Sequence, residues 1–224
     1  MSLHALVSLS ERTSDQWGLI TTAQAAALGV SRQQLSELTE VGALERIEQG
    51  VYRATAAPSS IQELTHATWL ALGGAEYTWP DVPPVVAAGE TAAIMHGIGD
   101  FMPDGYDFYS ARRRGTRLPG VRIKTRTLTR EEIGSSEEGM PVLSVERTIA
   151  DLVERLVDTS LVARALAQAA ERGKITSVPQ LVKFLAPLAA NNGMPAGDGA
   201  ALARELYEIA GLTVPAALAG AADE

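Results

Sequence analysis

Two copies of one short local signal, ten residues apart, constrain the start of this chain more tightly than any other feature. Thr21 with Gln24, and Ser31 with Gln34, fit the pattern S/T-x-x-E/Q. In that pattern a hydroxyl and a side-chain carbonyl satisfy two backbone donors left orphaned in the first turn of a helix. Two helices therefore start in close succession, with only "LGV" to end the first and turn into the second. Gly29 supplies a left-handed residue to close the first helix, and Val30 an apolar side chain to pack beneath the second. The pattern predicts a helix-turn-helix.

In the second helix Leu35, Leu38 and Val41 recur at helical spacing and are expected in the core, and Gly42 ends the helix. Arg32, Gln33 and Ser36 then face outward. "ALERIEQGVYRA" reads as two short strands around Glu48-Gln49-Gly50, a hairpin that completes a winged helix. Such a domain sets its second helix in the major groove, N-terminal residues nearest the base edges, with the wing on backbone or minor groove. Arg32 suits bidentate contact with guanine and Gln33 with adenine. Arg46, Gln49 and Arg53 are the wing candidates. Ser31 and Gln34 are used by the cap, at a helix N-terminus whose backbone donors also suit a phosphate. Residues 1–60 hold four arginines against six acids, which limits counterion release. Docking of a protein by the winged helix is the competing reading.

The linker "ATAAPSS" sets the expected organisation. Residues 1–57 form the winged helix-turn-helix, 58–190 a mixed α/β domain, and 191–224 a flexible stretch ("AANNGMPAGDG") and a C-terminal helix that packs back or swaps onto a partner. The fold class is α+β with a helical tail. Ser60 and Glu63 suggest a third capping box, opening a helix to about Leu72 with Ile61, Leu64, Thr68 and Leu72 on one side. "AEYTW", "PPVVAA" and "YDFYS" read as strands, and "GETAAIMHG" as a helix with His96 as an end cap in its last turn. "MPVLSVERTIADLVERL" gives a strand and a helix with Val145, Ile149, Leu152, Val153 and Leu156 as its apolar stripe. Arg147, Asp151 and Arg155 are spaced there for i,i+4 pairing. Helices over 161–172, 178–188 and about 200–210 follow.

Charge is strongly segregated. The net charge is -8, yet the 21 residues from Ser110 to Arg130 hold eight basic residues and no acid, leaving 11 basic against 27 acidic residues elsewhere. "VRIKTRTLT" alternates, with Val121, Ile123, Thr125 and Thr127 on one face and Arg122, Lys124 and Arg126 on the other. With Arg112, Arg113, Arg114 and Arg117 just before it, this is a candidate platform for phosphates or for an acidic partner protein. The alternative is a solvated strand face neutralised by "TREEIGSSEE".

Several chemistries find no support. Cysteine is absent and histidine occurs three times, so disulfides, thiolate metal sites and cysteine nucleophiles are excluded and no metal or cofactor is expected. A nuclease metal site with an acid two residues before lysine is missing, because Lys124, Lys174 and Lys183 follow Arg122, Arg172 and Leu181. In "GSSEE" two adjacent carboxylates in a strand would point to opposite faces, so no shared metal follows. No catalytic set is assigned. "MSLHALVSLSERTSD" lacks a basic n-region and a long apolar core, and no later run spans a bilayer. The expectation is a cytoplasmic protein with no membrane partner.

The stretches "GLITTAQAAALGVSRQQLSELTEVGALERIEQGVYRA", "AAGETAAIMHGIGD" and "MPVLSVERTIADL" together resemble the AbiEi family of antitoxins of type IV toxin-antitoxin systems. The resemblance runs from about Ser2 to Arg172. It implies a winged-helix domain joined to an α/β antitoxin domain. It also implies autorepression of an operon through repeated operator half-sites, and direct or indirect counteraction of a nucleotidyltransferase toxin. Carried over position by position, the DNA-reading residues are Arg32, Gln33 and Ser36, with Arg46 and Arg53 on the wing. The recognition helix departs from the pattern in having one cation beside Glu37 and Glu40. A stand-alone winged-helix regulator with a ligand-sensing C-terminal domain is the other reading.

Overall fold

The computed structural model describes residues 3–75, 82–102 and 104–219. Strand "AEYTW" lies largely outside the described residues. The chain divides into two compact units, one drawn from Met1–Trp79, Pro83–Val85 and Thr116–Leu118, the other from Pro80–Val82, Val86–Gly115 and Pro119–Glu224. The fold is mixed: an N-terminal winged helix-turn-helix, an α/β unit and a helical C-terminus.

In the first unit, α1 (Leu3–Ser14) and β1 (Leu19–Thr21) precede α2 (Thr22–Ala27) and α3 (Arg32–Glu40). The hairpin β2 (Leu44–Glu48) and β3 (Val51–Ala54) then joins β1 in a three-stranded sheet of order β1-β3-β2. Both capping boxes form, with Gln24 N–H donating to Thr21 Oγ1 at 3.1 Å and Gln34 N–H to Ser31 Oγ at 3.2 Å. Gln24 has a second role, since its side-chain amide exchanges two hydrogen bonds with that of the buried Gln16. Leu35 and Leu38 are buried with Ala5, Leu9, Ile20 and Val30. Val41 does not join them and is 56% exposed. Ala43 N–H turns back onto Leu38 O, and the next residue, Leu44, fills the core position expected of Val41.

The first unit extends past the expected boundary at residue 57 through α4 (Glu63–Ala71). The third capping box does not form: Ser60 Oγ accepts from Gln62 N–H, and Gln62 is the N-cap without a side-chain bond. Of the expected apolar stripe Thr68 and Leu72 are buried and Ile61 and Leu64 exposed, and burial is wider than one stripe, covering Thr65, His66, Ala67, Trp69 and Leu70 as well. Glu63 instead meets Arg53 of β3 at 3.3 Å. Trp17 stacks on His66, ring centroids 4.0 Å apart, and meets Trp69 edge-on at 5.9 Å.

The second unit has a five-stranded sheet of order β6-β5-β4-β8-β7: β4 (Val86–Ala87), β5 (Tyr106–Ser110), β6 (Val121–Thr125), β7 (Ile133–Ser135) and β8 (Pro141–Leu143). β5 pairs with β6 in parallel and with β4 antiparallel, β4 pairs with β8 in parallel, and β7 closes the far edge antiparallel to β8. α5 (Gly89–Met95) and α6 (Val145–Glu154) pack with α7 (Thr159–Glu171), α8 (Val178–Leu185) and α9 (Gly199–Ile209), and α10 (Ala216–Ala219) follows. α9 buries Leu202, Ala203, Leu206 and Tyr207 in the same core as Ile149, Leu166 and Leu185. The tail expected as a separate segment from 191 is thus part of the second core through Leu218. A helix with one apolar stripe is stable in water only when that stripe is covered.

Candidate nucleic-acid interface

The two capping boxes aim the first turn of α3 outward. Arg32, Gln33 and Ser36 are all exposed, because Leu35 and Leu38 hold the opposite face in the core. Gln33 Nε2 donates to Glu37 Oε1 at 3.1 Å, and Ser36 Oγ to Glu40 Oε1 at 3.3 Å. Those bonds are exposed i,i+4 contacts of the kind that DNA can displace at little cost. Arg32 makes no ion pair among the described residues. Ser31 and Gln34 are spent on the cap, so only backbone donors remain there for a phosphate. On the wing Arg46 and Gln49 are exposed, next to a register shift between Arg46 and Glu48.

Arg53 is a correction. Its guanidinium pairs with Glu45 at 2.5 Å and Glu63 at 3.3 Å and is only 14% exposed, so it ties β3 to β2 and α4. The sequence placed it two residues from the turn. The strand pairing turns it towards acids that are distant in sequence.

The basic stripe also resolves differently from expectation. β6 ends at Thr125, so strict alternation does not continue to Arg126 and Thr127. Arg122 donates to Asp107 at 3.1 Å from both Nε and Nη2 and to Asp104 at 2.8 Å. Arg126 donates to both oxygens of Glu154 at 2.9 Å. Both guanidiniums are thus answered by acids of the fold, although neither side chain is buried. Arg114 Nε reaches Ser110 Oγ at 3.3 Å. What remains is Arg112, Arg113 and Lys124, exposed and without an ion pair among the described residues, at the C-terminal ends of the parallel strands β5 and β6. Arg117 is exposed as well, in the Thr116–Leu118 segment of the first unit.

Behind the stripe lies a polar cluster whose centre, Asp151, is fully buried. Asp151 accepts from Gly89 N–H at 2.8 Å, Tyr109 Oη at 2.5 Å, Arg155 Nε at 2.9 Å and Arg147 Nη2 at 3.5 Å. Arg155 also reaches Asp107 at 3.0 Å, and Arg147 reaches Glu154 at 2.5 Å. The Tyr109 ring has Arg126 and Arg155 over it, each 5.4 Å from the centroid. Burial, followed by the Asp151 charge, pushes the Tyr109 hydroxyl up to about 12. Burial alone would raise Asp107 and Glu154. Arg122 with Arg155, and Arg147 with Arg126, outweigh it and hold both below the ordinary carboxylate range. Sequence spacing found Arg147, Asp151 and Arg155, but Asp104, Asp107, Tyr109, Glu132 and Glu154 carried no local signal.

His96 is the C-cap residue of α5, through its backbone N–H to Ala92 O and Ile94 O, while its ring bonds outside the helix. Its Nε2 donates to Leu143 O at 2.7 Å, tying α5 to β8, and burial pushes its pKa below 6.5. It lines a cavity of about 510 Å³ with Lys174, Glu146 and Thr176. Glu146 Oε1 accepts from Thr176 N–H at 2.6 Å and Ser177 N–H at 2.9 Å, so the cavity's buried carboxylate already serves the start of α8. Among the described residues no group of three or more histidine, aspartate or glutamate side chains is placed to hold a metal ion, and no helix is long and apolar enough to cross a membrane.

Residues 8–55 match the family described as "Transcriptional regulator, AbiEi antitoxin". The match runs from within α1 through β3 and supports a DNA-binding regulator. Among solved structures, the RV2827C protein from Mycobacterium tuberculosis is similar at 20% identity, over 90% of this chain and 81% of that one, with a TM-score of 0.43. No curated protein matches the chain.

Proposed function

We propose that this chain is the antitoxin of a two-gene toxin-antitoxin module, a cytoplasmic repressor of its own operon that also counteracts a nucleotidyltransferase toxin. The first unit reads repeated operator half-sites, and the second meets the toxin. The observation that carries the DNA half is the first turn of α3: Arg32 unpaired, Gln33 and Ser36 beside it, all exposed, and the helix fixed from behind by Leu35 and Leu38. Arg46 and Gln49 on the wing, with Arg112, Arg113, Arg117 and Lys124, are the proposed phosphate contacts. The family match over 8–55 favours this reading over protein docking by the winged helix.

Two measurements test it. Fluorescence anisotropy of the full chain on DNA from upstream of its gene, against a scrambled duplex, tests operator recognition. Arg32→Ala should cost about 1–3 kcal/mol, or roughly 5- to 150-fold in affinity, on operator but not on scrambled DNA. Equal affinity of the parent for both duplexes would refute repression by this domain. Co-expression with the adjacent gene product tests the antitoxin half, and growth arrest that the chain does not relieve would leave a stand-alone regulator.

A further inference from the structure

The cavity of about 510 Å³ that His96 and Glu146 line holds a charge that the fold answers only in part. It lies wholly within the second unit. Three carboxylates line it. Two are exposed and paired, Glu131 with Lys183 at 2.6 Å and Glu137 with Lys174 at 2.8 Å. The third, Glu146, is only 3% exposed and makes no ion pair among the described residues. Its Oε1 takes three hydrogen bonds, from Thr176 N–H at 2.6 Å, Thr176 Oγ1 at 2.9 Å and Ser177 N–H at 2.9 Å. Its Oε2 receives none among the described residues and is not one of the side-chain atoms sealed from solvent without a partner, so it opens on the cavity. Serving the start of α8 thus accounts for one oxygen and leaves the other as an acceptor held in place.

His96 adds a second acceptor. Its Nε2 donates to the carbonyl of Leu143, which can only accept, and burial lowers its pKa. The neutral ring therefore presents Nδ1 with a free lone pair, and this atom too is bonded to no described residue and not sealed. Ile133 and Val145 supply apolar wall. A buried carboxylate is stable when its charge is opposed and its lone pairs are filled. The N-terminus of α6 and the donors on Oε1 meet part of that need. Phosphate or carboxylate would face two acceptors here and be repelled. No set of three metal-binding side chains is present among the described residues. A positive group carrying several N–H donors completes the site, and the volume suits a small molecule.

We propose that this cavity binds a small organic cation, an amine, amidine or guanidine, through Glu146 Oε2 and His96 Nδ1. The site is argued from the second unit alone and stands independently of the antitoxin reading. Titration calorimetry of the full chain with benzamidine, benzamide and benzoate compares cationic, neutral and anionic probes of nearly one shape. Benzamidine should bind with a Kd of about 1 mM or tighter, and the other two at least about tenfold more weakly. Glu146→Gln keeps the acceptor at Oε1, because a turned amide would set its NH2 against two backbone N–H groups, and replaces only the oxygen that faces the cavity. It should melt within about 4 °C of the parent and lose at least about tenfold in benzamidine affinity. Lys174→Met removes the one cation of the lining and should tighten benzamidine by about 2- to 10-fold. Benzamidine that binds the parent no better than benzamide overturns the site, as does affinity undiminished in Glu146→Gln. Preference for benzoate, lost in Lys174→Met, overturns it by assigning the cavity to anions. Should Glu146→Gln fail to fold, the probe series on the parent and on Lys174→Met decides.

Discussion

Asp151→Asn is the sharpest test of the polar cluster. The change keeps the shape of the side chain and exchanges one acceptor oxygen for a donating NH2. One oxygen receives Gly89 N–H and Arg155 Nε, and the other receives Tyr109 Oη and Arg147 Nη2. Turned one way, the NH2 faces two obligate donors, Gly89 N–H and Arg155 Nε; turned the other way, it faces Arg147 Nη2, while the Tyr109 hydroxyl can rotate to accept from it. Asp151 is fully buried, so water cannot replace the lost acceptor. Removing one partner from a buried ion pair costs about 3–5 kcal/mol, most of it from the charge left behind. Against a typical total of about 5–15 kcal/mol, that is a large share of the unit's stability, a fall of roughly 6–20 °C in melting temperature. Tyr109→Phe removes one donor and leaves the carboxylate its others, so it should cost about 1.5–3 kcal/mol. The double variant should cost less than the sum, because both changes remove the same bond. All three tryptophans precede residue 80, so their fluorescence reports on the first unit and far-ultraviolet circular dichroism on both. The expected result is an earlier dichroism transition. An Asp151→Asn chain within about 1 kcal/mol of the parent would refute the idea that this carboxylate holds α5, β5 and α6 together.

The same cluster sets a pH window. Asp107 and Glu154, held below 3.8 and 4.5, contribute stability that is present above those values and lost as pH falls through their lower folded values. Tyr109, raised from 10.0 to about 12, contributes stability present below pH 10 and lost as pH rises toward 12. Urea melts across pH should show both arms, and Tyr109→Phe should shrink the alkaline one alone, leaving the share of Tyr207, which burial also pushes up; an alkaline arm of unchanged size would refute the Tyr109 contribution. Arg53→Ala should lower first-unit stability by about 1–2 kcal/mol and leave the salt dependence of operator binding unchanged. A shallower salt slope would return Arg53 to the DNA face. Replacing Arg112, Arg113, Arg117 and Lys124 by alanine should reduce the slope of log affinity against log salt by about 3.6. Arg122→Ala with Arg126→Ala should leave that slope alone and lower stability, and the opposite pattern would mean that the ion pairs open on DNA.

What the sequence disclosed follows from the range of the forces involved. Capping boxes, glycine stops and the i,i+4 pairs of α6 act over four residues, so "TTAQAAALGVSRQQL" is nearly sufficient to draw α2, the turn and α3. Whether a helix buries one face or another depends on what arrives from elsewhere. Ser60 and Glu63 have capping spacing, yet Glu63 is claimed by Arg53 of β3, and α4 buries His66 and Trp69 in addition to Thr68 and Leu72. α1 and β1 went unread because Ala5, Leu9 and Thr13 make a narrow stripe of mostly small side chains, and Leu19 and Ile20 too short a run to declare a strand. Leu156 was misread for the reverse reason. Its spacing suits the apolar stripe, and only the left-handed φ of +58° takes it out, leaving it 80% exposed.

The charge pattern holds the most general lesson, because a sequence count includes cations that the fold has already used. Arg122 and Arg126 stood in the most basic stretch of the chain, and each is bound by acids from other elements, Asp104 and Asp107 for one and Glu154 for the other. The five acids of the cluster, Asp104, Asp107, Glu132, Asp151 and Glu154, outnumber the four arginines they surround. Its cost in desolvation is offset only while its buried members are paired, so Arg122, Arg147 and Arg155 cannot be lent to a phosphate without uncovering the buried Asp107 or Asp151. The proposed DNA contacts are drawn from the exposed cations without an ion pair among the described residues: Arg32 and Arg46 on the winged helix, with Arg112, Arg113, Arg117 and Lys124; Arg12 of α1 is exposed and unpaired in the same sense. With so few, affinity should fall only shallowly as salt rises and discrimination should rest on the base contacts of α3. Repeated half-sites, which let several weak contacts act together, are therefore the operator architecture proposed for this chain.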